Sequence, residues 1–312
     1  MSGAEAQRSA PKAERVAKVI ARSGLCSRRD AEVLIAEGRV SLDGRVLDSP
    51  AVSVVPGQRI LVDDAPLPAA GPARLWRYHK PAGLLVAAKD PQERPTIYDS
   101  LPKDLPRVQP VGRLDLNSEG LLLLTNDGEL KRKLELPETG WQRRYRVRAF
   151  GRVSEARLAG LREGVTVEGI RYGPIKARIE RASGANLWIS VILTEGKNRE
   201  VRRVLAHLGL KVNRLIRVGY GPFTLGSLGR GSVSEVPDKR LRDALEGPKT
   251  PKAGWAKAKP RPAKPGRAAR GKSPTGKSGA GKTGGSKASG GKTGAAAKSR
   301  GKAGRANRRR PA

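Results

Sequence analysis

The sequence predicts an α+β protein with a small N-terminal domain, a larger domain built on a mainly antiparallel mixed sheet, and a basic C-terminal tail. Two amphipathic helices and a few short strands precede a stretch rich in proline and alanine at residues 65–73. Strand patterns outnumber helical ones after it, and residues 248–312 contain no Val, Ile, Leu, Met or Phe. We therefore expect a flexible N-terminus over residues 1–12, domains over 13–64 and 74–247, a linker between them, and a disordered tail.

The N-terminal domain is predicted to open with two short helices. Apolar residues recur at helical spacing within residues 15–23, and Gly24 ends that helix. Ser27 is expected to cap the second helix, with Asp30 at the third helical position, where a capping carboxylate would lie. Short strands are predicted over residues 39–42, 45–47, 53–55 and 58–62, with an Asp-Gly hairpin turn at residues 43–44.

The larger domain is predicted to be mostly strand. Helices are expected at residues 154–161, which begin with a Ser N-cap, and at residues 200–208. Trp76 and Trp188 are expected to fill the core of the sheet. Strands are predicted over residues 75–79, 120–124, 145–150, 166–167, 175–179, 187–193 and 215–218.

Positive charge is concentrated at the C-terminus. The chain has 63 Lys and Arg against 29 Asp and Glu, a formal net charge of +34, and 20 of the cations but none of the carboxylates lie in residues 248–312. Without apolar side chains this segment cannot offset the entropy cost of ordering. It is predicted to be a disordered arm that adds sequence-independent affinity for nucleic acid.

The composition argues against several classes of protein. No run approaches the roughly 18 apolar residues of a membrane-spanning helix, and the polar N-terminus lacks the apolar segment of a secretory signal. The single cysteine, Cys26, allows no internal disulfide, and two distant histidines argue against a zinc site. We expect a cytoplasmic protein that contacts no membrane and needs no metal or other cofactor.

Basic residues on the two N-terminal helices indicate contact with RNA. Leu-Cys-Ser-Arg-Arg-Asp-Ala at residues 25–31, Glu-Gly-Arg-Val at 37–40 and Asp-Gly at 43–44 resemble the S4-like RNA-binding domain of ribosomal protein S4 and many RNA-modifying enzymes. Taken alone, these cations would be ordinary solvated helix faces. The resemblance implies that four of them face phosphates of folded RNA: Lys18, Arg22, Arg28 and Arg29.

The most informative segment spans residues 112–128. A glycine-flanked loop carries Arg113 and Asp115 and leads directly into an apolar run at residues 120–125, which is typical of a buried strand. In an arbitrary protein, Asp115 would pair with Arg113 or cap a turn. An acid next to a buried strand nevertheless needs a structural or functional reason.

Six ordered motifs resemble those of pseudouridine synthases, in the family of the ribosomal small-subunit synthase A and the large-subunit synthases B, E and F. The resemblance covers roughly residues 13–237. Arg143 stands near the tyrosine where lysine is usual, and Glu200 stands where glutamine is usual, close to Arg202. The motifs are Lys-Pro-Ala-Gly (80–83), Arg-Pro-Thr-Ile-Tyr-Asp-Ser-Leu-Pro (94–102), the string at 112–128 that begins Gly-Arg-Leu-Asp, Arg-Tyr-Arg-Val (144–147), Leu-Thr-Glu-Gly-Lys-Asn-Arg-Glu-Val-Arg-Arg-Val (193–204) and Leu-Ile-Arg-Val-Gly-Tyr-Gly-Pro (215–222).

The resemblance implies that uridine in RNA is isomerised by breaking the C1′–N1 bond, turning the uracil and rejoining it through C5, without a cofactor. Asp115 would be catalytic, acting either at C1′ or on a sugar proton. Arg202 would be its cationic partner, and Arg113 would hold the loop or the RNA backbone. Tyr145 would stack on the uracil and carry a proton. By themselves, Tyr145 would be a half-buried strand aromatic and Arg202 a solvated helix residue.

The expected substrate is ribosomal RNA. Reaching C1′ requires the uridine to leave its stack, and Lys197, Arg199 and Arg203 are suited to hold the surrounding phosphates. Residues 94–101 and 149–151 resemble the large-subunit synthase B, so 23S rRNA, free or in an assembly intermediate, is the expected substrate. The protein is expected to be a monomer. Two alternatives stay open: a noncatalytic RNA-binding or ribosome-assembly protein with the synthase fold, and a DNA-compacting protein that acts through its tail.

Overall fold

The computed structural model describes residues 13–246. The predictions of a flexible N-terminus over residues 1–12 and of a disordered tail over residues 248–312 lie outside the described residues. Between residues 13 and 246, no helix is both long and apolar enough to cross a membrane.

The N-terminal domain forms the two predicted helices and two small sheets. Apolar side chains of both helices and of the strands share one core, which includes Val16, Ile20, Ala31 and Ile35. β3, β2, β5 and β6 form an antiparallel sheet in that order, and β1 pairs with β4. The elements are β1 (Glu14–Arg15), α1 (Val16–Arg22), α2 (Arg28–Ala36), β2 (Val40–Leu42), β3 (Arg45–Val46), β4 (Ser53–Val54), β5 (Ile60–Val62) and β6 (Ala65–Pro66).

The start of α2 is fixed by the predicted capping box. The Ser27 hydroxyl accepts a hydrogen bond from the Asp30 amide at 3.0 Å, and the Asp30 carboxylate accepts one from the Ser27 amide at 3.0 Å. The side chains thereby satisfy amide groups that a helix N-terminus leaves unpaired. This cap leaves Arg28 and Arg29 exposed in the first turn of α2.

The stretch without secondary structure between the domains is shorter than the predicted linker. Ala65 and Pro66 form β6, which pairs with Val62 and Leu61 of β5. Residues 67–74 form no helix or strand. A strand can form at the start of the predicted linker because β6 lies at the edge of its sheet, where the missing N–H of proline costs no ladder bond.

Every predicted strand and both predicted helices form in the larger domain. The helices are α3 (Gly128–Glu135), α4 (Glu155–Gly160), α5 (Glu200–His207) and α6 (Asp238–Glu246), with 3₁₀ turns at Tyr98–Ser100, Pro137–Thr139 and Leu161–Glu163. The strands are β7 (Leu75–Lys80), β8 (Gln109–Val111), β9 (Ser118–Thr125), β10 (Arg143–Phe150), β11 (Val165–Val167), β12 (Ile170–Tyr172), β13 (Lys176–Ser183), β14 (Asn186–Leu193), β15 (Lys211–Tyr220), β16 (Phe223–Thr224) and β17 (Val233–Glu235).

Helix α3 follows the buried strand β9 after two intervening residues. The Asp127 carboxylate accepts hydrogen bonds from the amides of Glu129 at 3.0 Å and Leu130 at 2.6 Å, so Asp127 is an N-cap. Leu130 and Leu134 then bury against the sheet. Burial of this apolar face makes an otherwise polar segment helical.

Nine strands form a mixed sheet in the larger domain. Their order is β13-β14-β10-β15-β9-β7-β17, with β16 beside β15 and β8 beside β9. All neighbours are antiparallel except β15 and β9, which run parallel with Leu215 opposite Ser118 and Arg217 opposite Gly120. The predicted α+β class with a mainly antiparallel mixed sheet is therefore confirmed.

Both faces of the sheet carry apolar clusters. In β9, Leu121 and Leu123 join the cluster under α3 and α6, whereas Leu122 and Leu124 join a second cluster with Trp76 and Tyr78. Burial on both faces explains why β9 is a continuous apolar run and not an alternating one. Toward the edge of the sheet that ends in β13, α4 and α5 share a third cluster with β10, β13 and β14.

Trp188 does not fill the sheet core. It is half-buried, because its neighbours Leu187 and Ile189 take the inward positions of β14. Alternation along a strand therefore places Trp188 on the opposite face. The expectation for Trp76 was right, since this residue is 3% exposed.

Candidate active site

A cavity of about 600 Å³ opens next to the parallel strands β9 and β15. Its walls come from the 112–118 loop, from β10 and β15, and from the 194–200 loop that precedes α5. Asp115 and Tyr145 both line it, as does apolar Leu215. The fold thus brings together two of the three side chains for which the sequence predicted catalytic roles.

One row of residues crosses the sheet beside this cavity. Tyr145 of β10 lies opposite Arg217 of β15, Arg217 lies opposite Gly120 of β9, and Gly120 lies opposite Lys80 of β7. Side chains in one cross-strand row point to the same face of a sheet. Arg217 and Lys80 are 3% and 0% exposed, so two buried cations lie in line with the tyrosine.

Gly120 makes this close arrangement possible. Its φ is +105°, and an added Cβ would lie 2.8 Å from the amide nitrogen of Arg217 and closer still to its carbonyl oxygen. With no side chain at this position, the two parallel strands approach closely. The Arg217 Nε then donates a hydrogen bond to the carbonyl of Leu121 at 2.7 Å.

The Lys80 ammonium ties the Asp115 loop to the sheet. Its Nζ donates to four carbonyl oxygens: Ser118 at 2.9 Å, Pro81 at 3.0 Å, Asp115 at 3.3 Å and Leu116 at 3.4 Å. Burial lowers the pKa of Lys80 to about 8, although nearby carboxylates favour its charged form. A protonated lysine is therefore part of the loop's support.

The Asp115 side chain is half-buried at the end of this loop. Its carboxylate accepts a hydrogen bond from the Ser118 hydroxyl at 3.4 Å, and its carbonyl accepts one from the Ser118 amide at 3.0 Å. The charges of Lys80 and Arg202 attract it. Within residues 13–246, however, no cation lies within 4 Å of the carboxylate to form an ion pair.

Arg202 holds the loop by its main chain. Its Nη2 donates to the carbonyl of Asn117 at 2.8 Å, and its Nη1 donates to that of Val212 at 3.2 Å. Burial and the neighbouring Arg199 lower the pKa of Arg202, and Asp115 opposes this shift. The expected direct pairing of Arg202 with the Asp115 carboxylate is thus replaced by a loop contact, because the first turn of α5 aims the guanidinium at main-chain oxygens.

Glu200 shapes the 194–200 loop. This residue is 3% exposed, and its Oε2 accepts a hydrogen bond from the Lys197 amide at 2.9 Å. Burial raises the pKa of the Glu200 carboxyl. The carboxyl therefore closes the turn before α5 and does not pair with Arg202. Arg199 precedes Glu200 at the N-cap position of α5, with a left-handed φ of +51°.

Comparisons with known proteins identify the family. The sequence model of RNA pseudouridylate synthases matches residues 74–207, and that of the S4 domain matches residues 14–60. A Rickettsia felis protein named an uncharacterized RNA pseudouridine synthase is 46% identical over 228 residues, 73% of this chain and 99% of that protein. Ribosomal large subunit pseudouridine synthase B of Escherichia coli strain K12 is 42% identical over 248 residues, 75% of this chain and 84% of that protein. The chain belongs to the RNA pseudouridine synthase family.

The fold of the synthase agrees with a solved relative. A crystal structure of a pseudouridylate synthase, 27% identical in sequence, matches with a TM-score of 0.52 and covers 74% of this chain and 99% of that chain. The family, the S4 domain and the enzymatic class predicted from the motifs are confirmed. The synthase is an isomerase with an N-terminal RNA-binding domain.

The predicted RNA contacts of the catalytic domain fall into two sets. Arg113, Lys197 and Arg199 are exposed and line the cavity. Arg203 does not line it, and its guanidinium lies 4.0 Å from Glu168. The first three are therefore placed to meet RNA that enters the cavity, whereas Arg203 is not.

The cations of the S4 domain also differ in their surroundings. The Lys18 ammonium pairs with Glu14 at 2.6 Å and with Glu129 of α3 at 2.5 Å, and Arg22 pairs with Glu14 at 2.6 Å. Hydrogen bonds to Glu129 and Glu14 raise the pKa of Lys18. Arg28 and Arg29, at the start of α2, have no carboxylate within 4 Å in the described chain. They are therefore more available to bind phosphates than Lys18 and Arg22.

Two site residues of the synthase had no role assigned from the sequence. Lys80 and Arg217 both lie in motifs that resemble the family, but only the cross-strand row shows that they are buried beside the cavity. Their place in these motifs was the available signal, because the same strands carry other cations, such as Arg77 in β7 and Arg214 in β15. Within the described residues, no three His, Cys, Asp or Glu side chains are grouped so that they could hold a metal ion.

The ionisation of Lys80 should give the synthase an alkaline pH limit. Because the pKa of Lys80 is lowered to about 8, the ammonium that holds the loop is present below pH 8 and lost above it. We expect the single-turnover rate to fall as pH rises through about 8. Lys103→Met, at an exposed position, should leave that profile unchanged. A rate that stays level across this range would show that Lys80 does not need its proton.

Proposed function

We propose that this synthase isomerises a specific uridine of 23S rRNA to pseudouridine, with Asp115 as the catalytic residue. The observation that carries the proposal is that Asp115 and Tyr145 line one cavity, where the buried Lys80 ammonium holds the Asp115 carbonyl. The relative from Escherichia coli, which is named for the large ribosomal subunit, supports the substrate. We further propose that the enzyme acts in the cytoplasm as a monomer.

The uracil fits the apolar wall of the cavity. Leu193, Val201 and Leu215 are buried residues that line it on the side of Tyr145. An aromatic ring and aliphatic side chains suit the two faces of a flat base. In this proposal, Tyr145 stacks on the uracil and keeps it within reach while the base is detached from the sugar.

The reaction leaves the composition of the nucleotide unchanged. The C1′–N1 bond breaks, the uracil turns within the cavity, C5 bonds to C1′, and the C5 proton is replaced by a proton at N1. The Asp115 carboxylate acts on the sugar, either at C1′ or on a sugar proton. Lys80 fixes the carbonyl of Asp115 itself, and Arg202 fixes that of Asn117, two residues later in the loop. This support pre-organises the carboxylate before the nucleotide enters.

The rim of the cavity is suited to a flipped nucleotide. Arg113 and Arg199 line the cavity from two different loops, 112–118 and 194–200. Guanidinium groups there bind the phosphates on either side of a uridine that has left its stack. The exposed arginines of α2 bind a further part of the same folded RNA.

Mapping of pseudouridines in ribosomal RNA tests the substrate. RNA from cells with and without the gene is compared, and RNA from cells that carry Asp115→Asn is the third sample. We expect one pseudouridine of 23S rRNA to vanish in the second and third samples. Loss of a site only in 16S rRNA would overturn the large-subunit assignment and leave the isomerase intact.

A further inference from the structure

On the face of the sheet that α3 and α6 cover elsewhere, the strands β10, β13 and β14 are left open. In β10, β13 and β14, inward residues such as Val147, Ala177 and Ile189 are buried under α4 and α5. The alternate residues project from the other side and are exposed or half-buried, so no part of the described chain buries them. They include Arg146, Arg148, Phe150, Arg178, Arg181, Trp188 and Ser190.

Arginines surround a tryptophan at the centre of this face. Trp188 lies opposite Arg148 of β10 on one side and opposite Arg181 of β13 on the other. The Arg146 guanidinium carbon lies 4.9 Å from the centre of the indole. Arg178 lies in the next row, where it flanks Ser190. Four guanidiniums thus frame one aromatic ring on three adjacent strands.

The charge of this face is poorly balanced. Glu180 pairs with Arg146 at 2.7 Å. Arg148, Arg178 and Arg181 have no carboxylate within 4 Å among residues 13–246. Phe150 continues the face in line with Arg148 and is 52% exposed. The surface therefore combines cations that lack a carboxylate partner with a half-buried indole and an exposed phenyl ring.

Single-stranded RNA has the chemistry that fits such a surface. Its phosphates pair with guanidiniums, and any of its bases can stack on an indole or a phenyl ring. Sheets that bind RNA in other folds use aromatic side chains on their open face in this way. The chain's own C-terminal segment does not suit the face, because it carries 20 cations and no carboxylate.

We propose that the open face of β10, β13 and β14 is a second RNA-binding surface, on which one base stacks on Trp188 while Arg148, Arg178 and Arg181 bind the phosphates of a single strand. This surface is separate from the catalytic cavity, since Tyr145 points to one side of β10 and Arg146 to the other. It binds a part of the RNA other than the uridine that reacts. This role is additional to the proposed reaction.

Binding of a ten-residue oligoadenylate tests the surface, because this RNA contains no uridine for the cavity. Full-length protein is titrated at high salt, which weakens the sequence-independent attraction between RNA and the 20 cations of residues 248–312. Trp188→Ala should weaken binding by about fivefold or more, the low end of the loss for one stacked base. Trp188→Phe, which keeps a ring, should restore most of it, and oligoadenylate should quench the Trp188 fluorescence.

A matched pair of charge variants separates the surface from net charge. Arg148→Ala with Arg181→Ala should weaken oligoadenylate binding several-fold more than Arg240→Ala with Arg242→Ala, which removes the same charge from exposed positions of α6. All variants should isomerise a short stem-loop at the wild-type rate, so failure of the catalytic proposal would be seen separately. Equal binding by the two charge variants, or wild-type binding by Trp188→Ala, would overturn the proposal and leave the face to an acidic protein partner.

Discussion

Asp115→Asn is expected to abolish uridine isomerisation while the protein still folds and binds RNA. Asparagine keeps the size and hydrogen-bonding capacity of the side chain but removes the charge that acts on the sugar. We expect the single-turnover rate to fall by at least about 1,000-fold, as on removal of a residue central to catalysis. The measurement is tritium release from C5-labelled uridine in rRNA.

Folding should survive this substitution. Lys80 and Arg202 hold the loop through its carbonyl oxygens, which the change does not touch, so neither cation is left without its hydrogen-bond acceptors. Filter binding should show unchanged or slightly tighter RNA affinity, because a negative charge near the RNA backbone is lost. Asp104→Asn, at an exposed position, is the matched control and should release tritium normally. Normal release by the Asp115 variant would mean that another group performs the chemistry.

Gly120→Ala is expected to be the most destabilising small substitution in the catalytic domain. The new methyl group would collide with the main chain of Arg217, and the φ of +105° is one that a residue with a Cβ adopts only under strain. Relief would require β9 and β15 to separate, and these strands form the parallel pair between the two halves of the sheet. We expect the free energy of unfolding to fall by about 3 kcal/mol or more, and activity with it.

Gly226→Ala is the control that separates the collision with Arg217 from the strain of a positive φ. Gly226 also has a positive φ, +58°, but an added Cβ would meet nothing within 4 Å. Its substitution should therefore lower the free energy of unfolding by about 1–2 kcal/mol, the cost of placing a residue with a Cβ in the left-handed region. Urea denaturation followed by circular dichroism measures both variants. Similar losses for the two would indicate that the contact with Arg217 relaxes freely and that the strands are not held as closely as described.

Local features of the sequence were sufficient for most of the fold. The capping box of Ser27 and Asp30 involves residues three apart, and the apolar run of β9 needs only its own composition to be recognised as buried. Such signals depend on nearest neighbours along the chain, so a single sequence carries them in full. The six motifs, in their order, were likewise enough to predict the family.

The tertiary structure alone decided which groups meet. Nothing local distinguishes an Arg202 that pairs with a carboxylate from one that holds a carbonyl, because the choice depends on how α5 approaches a loop 85 residues earlier in the chain. The burial of Lys80 and the exposure of Trp188 are of the same kind, since each depends on which strands become neighbours. The sequence by itself determined the elements, the family and the residue types of the site. Only strand order and helix docking decided their partners, because contacts between distant segments form when the whole sheet assembles.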